Sequence, residues 1–211
     1  MMKTLSVLVV LGFALSLCNL TNKLKGVGSS SRGSSKSSPA APGGADVEQA
    51  EPSEAQNAAL AGGQNVAWDK QGISWTLPPK WKLASDETKM FVWRSPGSWD
   101  AASLIVSVSP MDENFPAEAS LNAFYDGAKT RAKNGEVDEL KWLEIDGLKG
   151  VQFRESNPEK PDGIRRLQWI TYRKYAGQLQ HVDVMLATSG KDFPRHQDVM
   201  YGILYSTKIM H

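Results

Sequence analysis

The 211 residues carry 24 basic and 23 acidic side chains, a formal charge of +1. That balance excludes the broad cationic surface a nucleic-acid binder needs. One cysteine excludes an internal disulfide framework, a cysteine-built zinc site and a dithiol redox pair, and three histidines leave little for a histidine-built metal centre.

Residues 1–18, MMKTLSVLVVLGFALSLC, open with one lysine and continue as an apolar run from Leu5 to Leu17. The run is shorter than the ~20 residues a helix needs to cross a bilayer. Its charged start, short apolar stretch and small residues near the end have the proportions of a secretory signal peptide. Leu15-Ser16-Leu17-Cys18 resembles the lipobox of bacterial lipoproteins, in which the cysteine becomes the lipidated first residue. Leu17 departs from it, since Gly, Ala or Ser is usual there. Cleavage after Ser16, releasing a soluble secreted or periplasmic protein with a free thiol, is the alternative. Lipidation of Cys18 is the expectation, because an exposed unpaired thiol is a liability in an oxidising compartment.

Residues 19–63 hold no aromatic side chain, and residues 28–38 are almost all Gly and Ser. Such a stretch buries too little apolar surface to offset its chain entropy, so a disordered tether is expected, with at most a helical turn at 58–61. A coil of that length spans ~35–40 Å. Lys23, Lys25, Arg32 and Lys36 lie at its membrane-proximal end.

From residue 64 the composition becomes that of one folded domain, holding 17 of the 18 aromatic residues. Ile73, Trp75 and Leu77 alternate with Ser74 and Thr76, the pattern of a half-buried strand that Pro78-Pro79 ends. Strands follow at 90–94 and 103–109. From Pro116 to Asn134 the period changes: Ala117, Leu121, Phe124, Tyr125, Ala128 and Ala132 form one stripe of an amphipathic helix. Leu140–Ile145, Asp146-Gly147 and Leu148–Phe153 read as a hairpin whose register pairs Trp142 with Val151, Leu140 with Phe153 and Glu144 with Lys149. A second hairpin turns at Ala176-Gly177. It pairs Thr171 with Val182, Trp169 with Val184 and Leu167 with Leu186 on the core face, and sets His181 beside Tyr172 on the other. Asp192-Phe193-Pro194 opens a terminal helix. The class is α+β, a largely antiparallel sheet with one inserted and one C-terminal helix.

GISWTLPPKWK, SLIVSVSP before a helix, the EIDGLKG hairpin, the pair RRLQWITYRKYAGQLQHVDVMLAT and the closing ILYSTKI together resemble the PsbP-like fold over residues ~65–211. That family includes the photosystem extrinsic subunit, a yeast Ran-GTPase-binding protein and bacterial envelope lipoproteins of the DcrB and LpqN type. The resemblance implies an α/β/α sandwich; it implies little about activity, because members are mostly non-enzymatic binding or assembly factors and fold does not dictate function.

The chain has no phosphate loop, dinucleotide fingerprint, nucleophile elbow, zincin motif or EF-hand. Asp112-Glu113-Asn114 reads as a solvated turn, lacking a cation loop's spacing. His181 and Asp183, two apart on a strand, face one side and form the candidate polar site. Without a third partner they read as a half-buried structural pair. Trp75, Trp93, Trp142 and Trp169 fall in strands as core, and Trp81 as an edge plug. Trp99 stands in a Pro-Gly-Ser loop, so it and Arg94, on the strand leading into that loop, are candidate partner contacts. The expected function is a lipid-anchored protein on the exported side of the bacterial cell envelope. It would be bound to the membrane through Cys18, carry a non-enzymatic domain for a protein or envelope component, and use no metal or cofactor. The alternative is a small exported ligand-binding or hydrolytic protein using a pocket near His181 and Asp183.

Overall fold

In the computed structural model the described residues are 46–97 and 101–211. In chain order the elements are β1 (Glu48–Gln49), α1 (Glu54–Ala59), β2 (Gln64–Trp68), β3 (Ile73–Leu77), β4 (Lys82–Asp86), β5 (Met90–Arg94) and β6 (Ser103–Pro110). Then follow α2 (Ala117–Lys133), β7 (Val137–Ile145), β8 (Leu148–Glu155), β9 (Ile164–Tyr175), β10 (Gln178–Ser189), α3 (Phe193–Tyr205) and β11 (Lys208–Ile209).

Two hairpins set the register of the large sheet. Asp146 and Gly147 take φ of 51° and 82°, and Ala176 and Gly177 take 50° and 79°, the left-handed values a two-residue hairpin turn requires. Trp142 accordingly faces Val151 and Leu140 faces Phe153, while Thr171, Trp169 and Leu167 face Val182, Val184 and Leu186. The eight strands run in the order β1-β7-β8-β9-β10-β6-β5-β4, and a separate three-stranded sheet runs β11-β3-β2.

Strand alternation gives the large sheet two differently covered faces. One carries Leu104, Val106, Leu143, Ile145, Leu167, Trp169, Val182, Val184 and Leu186. These merge with Phe193, Met200 and Ile203 of α3 and with Trp68, Ile73 and Trp75 of the small sheet into the main core. The other carries Val151, Phe153, Trp142 and Ile170 under Leu121 and Ala128 of α2. Helices thus lie on both faces of a mainly antiparallel sheet, and the class is α+β as expected.

The ordered domain begins earlier than the composition indicated. Gln64 was the expected boundary, with residues 19–63 a free tether. Instead, β1 runs parallel to β7, with Glu48 and Gln49 opposite Leu143 and Glu144, and α1 lies against α3. A capping box starts α1: Ser53 Oγ accepts from the Gln56 amide, and Gln56 Oε1 accepts from the Ser53 amide. Leu60, 9% exposed, joins the main core, and a Cβ on Gly202 of α3 would stand 3.2 Å from its side chain. One leucine and a good cap hold this segment, so the lack of aromatics there did not leave it free. Residues 1–45, and with them Cys18 and most of the expected tether, lie outside the described residues.

Candidate functional site

The candidate site is built on β10, whose outward residues form ladder rows with β9 and β6. One row is Tyr172, His181, Ser109 and the next is Ile170, Asp183, Ser107. The His181 ring stacks on Phe124 of α2 at 5.7 Å and 21° and lies tilted against Tyr172 at 5.2 Å. The Tyr172 hydroxyl is 2.8 Å from Ser120 Oγ, which fixes the ring under the helix. Asp183 Oδ2 accepts a 2.8 Å hydrogen bond from Gln168 Nε2. Asp183 Oδ1 and His181 Nε2 are shielded from solvent and have no hydrogen-bond partner among the described residues.

Burial is what moves both titrations. It pushes the Asp183 carboxyl up to about 6, against the hydrogen bond from Gln168, and it pushes His181 below its ordinary 6.5. A carboxyl near 6 suits proton transfer near neutral pH. The neighbours do not complete that chemistry: His181 is held by two rings, and Arg166 is paired with Glu155 at 3.1 Å rather than joining Asp183. Among the described residues no three His, Cys, Asp or Glu side chains stand close enough to hold a metal ion.

Arg94 ends β5 on the same outer face, directly opposite Lys82 of β4. The two border a cleft of about 540 Å³ with Leu83, Ser95 and Pro96. Trp99 lies outside the described residues. The other tryptophans behave as core, with Trp75, Trp81, Trp142 and Trp169 buried and Trp93 packed partly buried at the core's margin.

Between Arg94 and His181 no helix among the described residues centres its packing on the outer face. Contacts of α2 are with β7, β8 and β9, so β10, β6 and β5 lie beyond its main footprint. One row there is Val92, Ile105, Met185, Gln168, and beside it Met90 is 39% exposed.

Two polar clusters, one buried and one half-buried, escaped the sequence reading. Arg173, 2% exposed, donates to Gln180 Oε1 at 3.0 Å, the Met210 carbonyl at 3.0 Å and the Gln71 carbonyl at 2.6 Å. It sits over the Tyr175 ring at 4.4 Å, has no carboxylate partner among the described residues, and is lowered by burial to about 10. A usable signal existed, because the alternation that puts Leu167, Trp169 and Thr171 inside puts Arg173 inside as well. In the second cluster a register shift between Val137 and Glu139 places Asp138 and Glu139 together on the α3 side. There Tyr201 donates to Glu139, Arg154 donates to the Tyr201 hydroxyl at 3.1 Å and to Asp138 at 2.6 Å, and Arg165 also donates to Asp138. Bulges re-aim side chains in this way, and nothing in VDELKW announces one.

No family model and no curated protein matches the sequence. Similar solved structures include the solution structure of cyanobacterial PsbP (CyanoP) from Synechocystis sp. PCC 6803. It is 15% identical, with 70% of this chain and 92% of that chain covered and a TM-score of 0.44. They also include a crystal structure from Bacteroides thetaiotaomicron VPI-5482, 11% identical with a TM-score of 0.43. That match covers 66% of this chain and 46% of the other, so it spans about half the other's length.

Proposed function

We propose that this chain is an exported, lipid-anchored envelope protein of the PsbP-like DcrB and LpqN type, whose domain works by binding rather than by turnover. Cys18 is the anchor, and the partner is a protein or an envelope component. The observation that carries the binding role is the half of the outer sheet face where Val92, Ile105 and Met185 lie in one row with Met90 beside them, outside the main footprint of α2. Contiguous apolar surface left accessible on a domain is the usual mark of an interaction site. The apolar run ending at Cys18 supports the anchor.

Two measurements test the two halves separately. Metabolic labelling with a clickable fatty acid is expected to mark the wild type and not Cys18→Ser; equal labelling of both overturns the anchor. A photo-crosslinking residue at position 90 is expected to give one discrete adduct in cells, and the same residue at Lys129, exposed on α2, none. Equal adducts at both positions overturn the contact surface. A second reading rests on the unpartnered Asp183 Oδ1 and His181 Nε2: a small ligand hydrogen-bonding to both. Its mark would be a small molecule copurifying with the wild type and not with Asp183→Asn.

A further inference from the structure

We propose that Lys82 and Arg94 form a phosphate-binding site at the β4 edge of the large sheet. The inference goes beyond the tethered-binder reading and does not depend on Cys18, since both cations belong to the folded domain.

Residues directly opposite across an antiparallel pair hold their Cβ atoms ~4.5–5.5 Å apart, and like charges in that position repel. Lys82 and Arg94 are such a pair. Neither has an ion-pair partner among the described residues. The ladder offers none either: Arg94 faces Ser103 on its other side, its outer-face neighbour is Val92, and Asp86 on β4 is taken by Lys70 at 3.1 Å. The contrast with β7–β9 is clear, where Arg131, Arg154, Arg165 and Arg166 each meet a carboxylate. The domain around the pair is net acidic: residues 46–211 carry 19 basic and 23 acidic side chains. Two adjacent cations without a counter-charge among the described residues, on a net acidic domain, mark a local anion receptor.

The shape of the place specifies the anion. The cleft of about 540 Å³ beside the pair is within the usual ~300–1,000 Å³ of ligand sites. A guanidinium takes two oxygens of one group through its fork, and a neighbouring ammonium takes a third as a point charge. Three oxygens on one centre describe a phosphate better than a carboxylate. Leu83, 49% exposed, and Ala84 and Pro96 give the cleft an apolar wall. A phosphate ester with an apolar body, such as a lipid headgroup, and free inorganic phosphate share the chemistry the cations recognise.

The test follows backbone amides 82–84 and 92–95 by NMR in the full-length chain in neutral-headgroup micelles. Inorganic phosphate, acetate and dihexanoyl phosphatidic acid, a phosphate monoester, are titrated separately. Saturable shifts at these amides with either phosphate are expected, with acetate at least fivefold weaker, and they are expected to vanish in the Lys82→Gln, Arg94→Gln variant. Both side chains are exposed, so that variant is expected to melt with the wild type, and Arg94→Lys is expected to retain binding in part. Tighter binding of the phosphatidic acid by tenfold or more supports a lipid source, and equal binding supports the free ion. Absence of saturation with every probe overturns the proposal, as do shifts that persist in the double variant. Phosphate binding that appears only in Asp100→Asn also overturns it, because the cations then serve the chain's own carboxylate.

Discussion

Asp183 and His181, neighbours on one strand face, have opposite effects on stability as pH changes. The Asp183 carboxyl is raised to about 6 from 3.8, so the folded chain holds that proton more tightly than the unfolded chain. Its contribution to stability is present at low pH and is lost as pH rises from about 4 through 6, by about 3 kcal/mol at 1.36 kcal/mol per pKa unit. His181 is lowered from 6.5, so its neutral form is the folded one, and its contribution is lost as pH falls below 6.5. The two slopes have opposite sign in the wild type. Asp183→Asn is expected to stabilise the chain at pH 7.5 and to lose that advantage by pH 4, and His181→Gln to leave the Asp183 slope exposed. Urea unfolding of the three proteins across that range checks both; parallel curves would refute the assignment. A second expectation concerns Arg173. Arg173→Met leaves the Gln71 and Met210 carbonyls without their donor and is expected to lower stability by about 2–3 kcal/mol, whereas Lys174→Met, on the exposed side of the same strand, is expected to change it by less than about 0.5 kcal/mol.

At the scale of elements, what the sequence disclosed and what it concealed divide by the origin of each signal. β7 to β10 were legible because their turns carry Asp-Gly and Ala-Gly and their apolar residues alternate in phase, so register followed by counting. α2 was legible from its stripe. β4 was not: nearly all of it is exposed, and an edge strand paired on one side shows no alternation. β1 and α1 were hidden because they are held by contacts made elsewhere in the chain: backbone pairing to β7, Leu60 in the core, and Lys141 reaching Glu48 at 2.9 Å. The candidate site divides the same way. His181 beside Tyr172 came from the hairpin register, whereas Phe124 over His181 required the helix to be docked, and the Lys82–Arg94 pair required β4 to exist at all. One consequence is measurable. A chain starting at Gln64 forfeits the Leu60 burial, about 1.5–3 kcal/mol, and is expected to melt at least ~5 °C below the full chain. A chain starting at Asp46 is expected to melt with it. Coincident melting of both truncations would show that α1 contributes nothing.

Over the whole molecule, the chain enters the large sheet at one edge, through β1, while β4 with its cation pair forms the opposite edge. Seven strand intervals of ~4.8 Å separate them by about 34 Å, so an attachment at the N-terminal side leaves the basic cleft on the far side of the sheet. β1 pairs through only Glu48 and Gln49, with one further bond from the Ala50 amide to the Glu144 carbonyl at 2.9 Å; behind it stands α1, of 6 residues. Under tension drawn from the N-terminal side, this is the mechanically weakest lap of the domain. Stretching by optical tweezers from residue 46 is expected to give a small first extension of about 60 Å, the ~3.3–3.6 Å per residue of the segment ahead of β2, before the sheet itself yields in a larger step. The segment then works as a shock absorber: a tug from the N-terminal side pays out slack and leaves β2 to β11 folded.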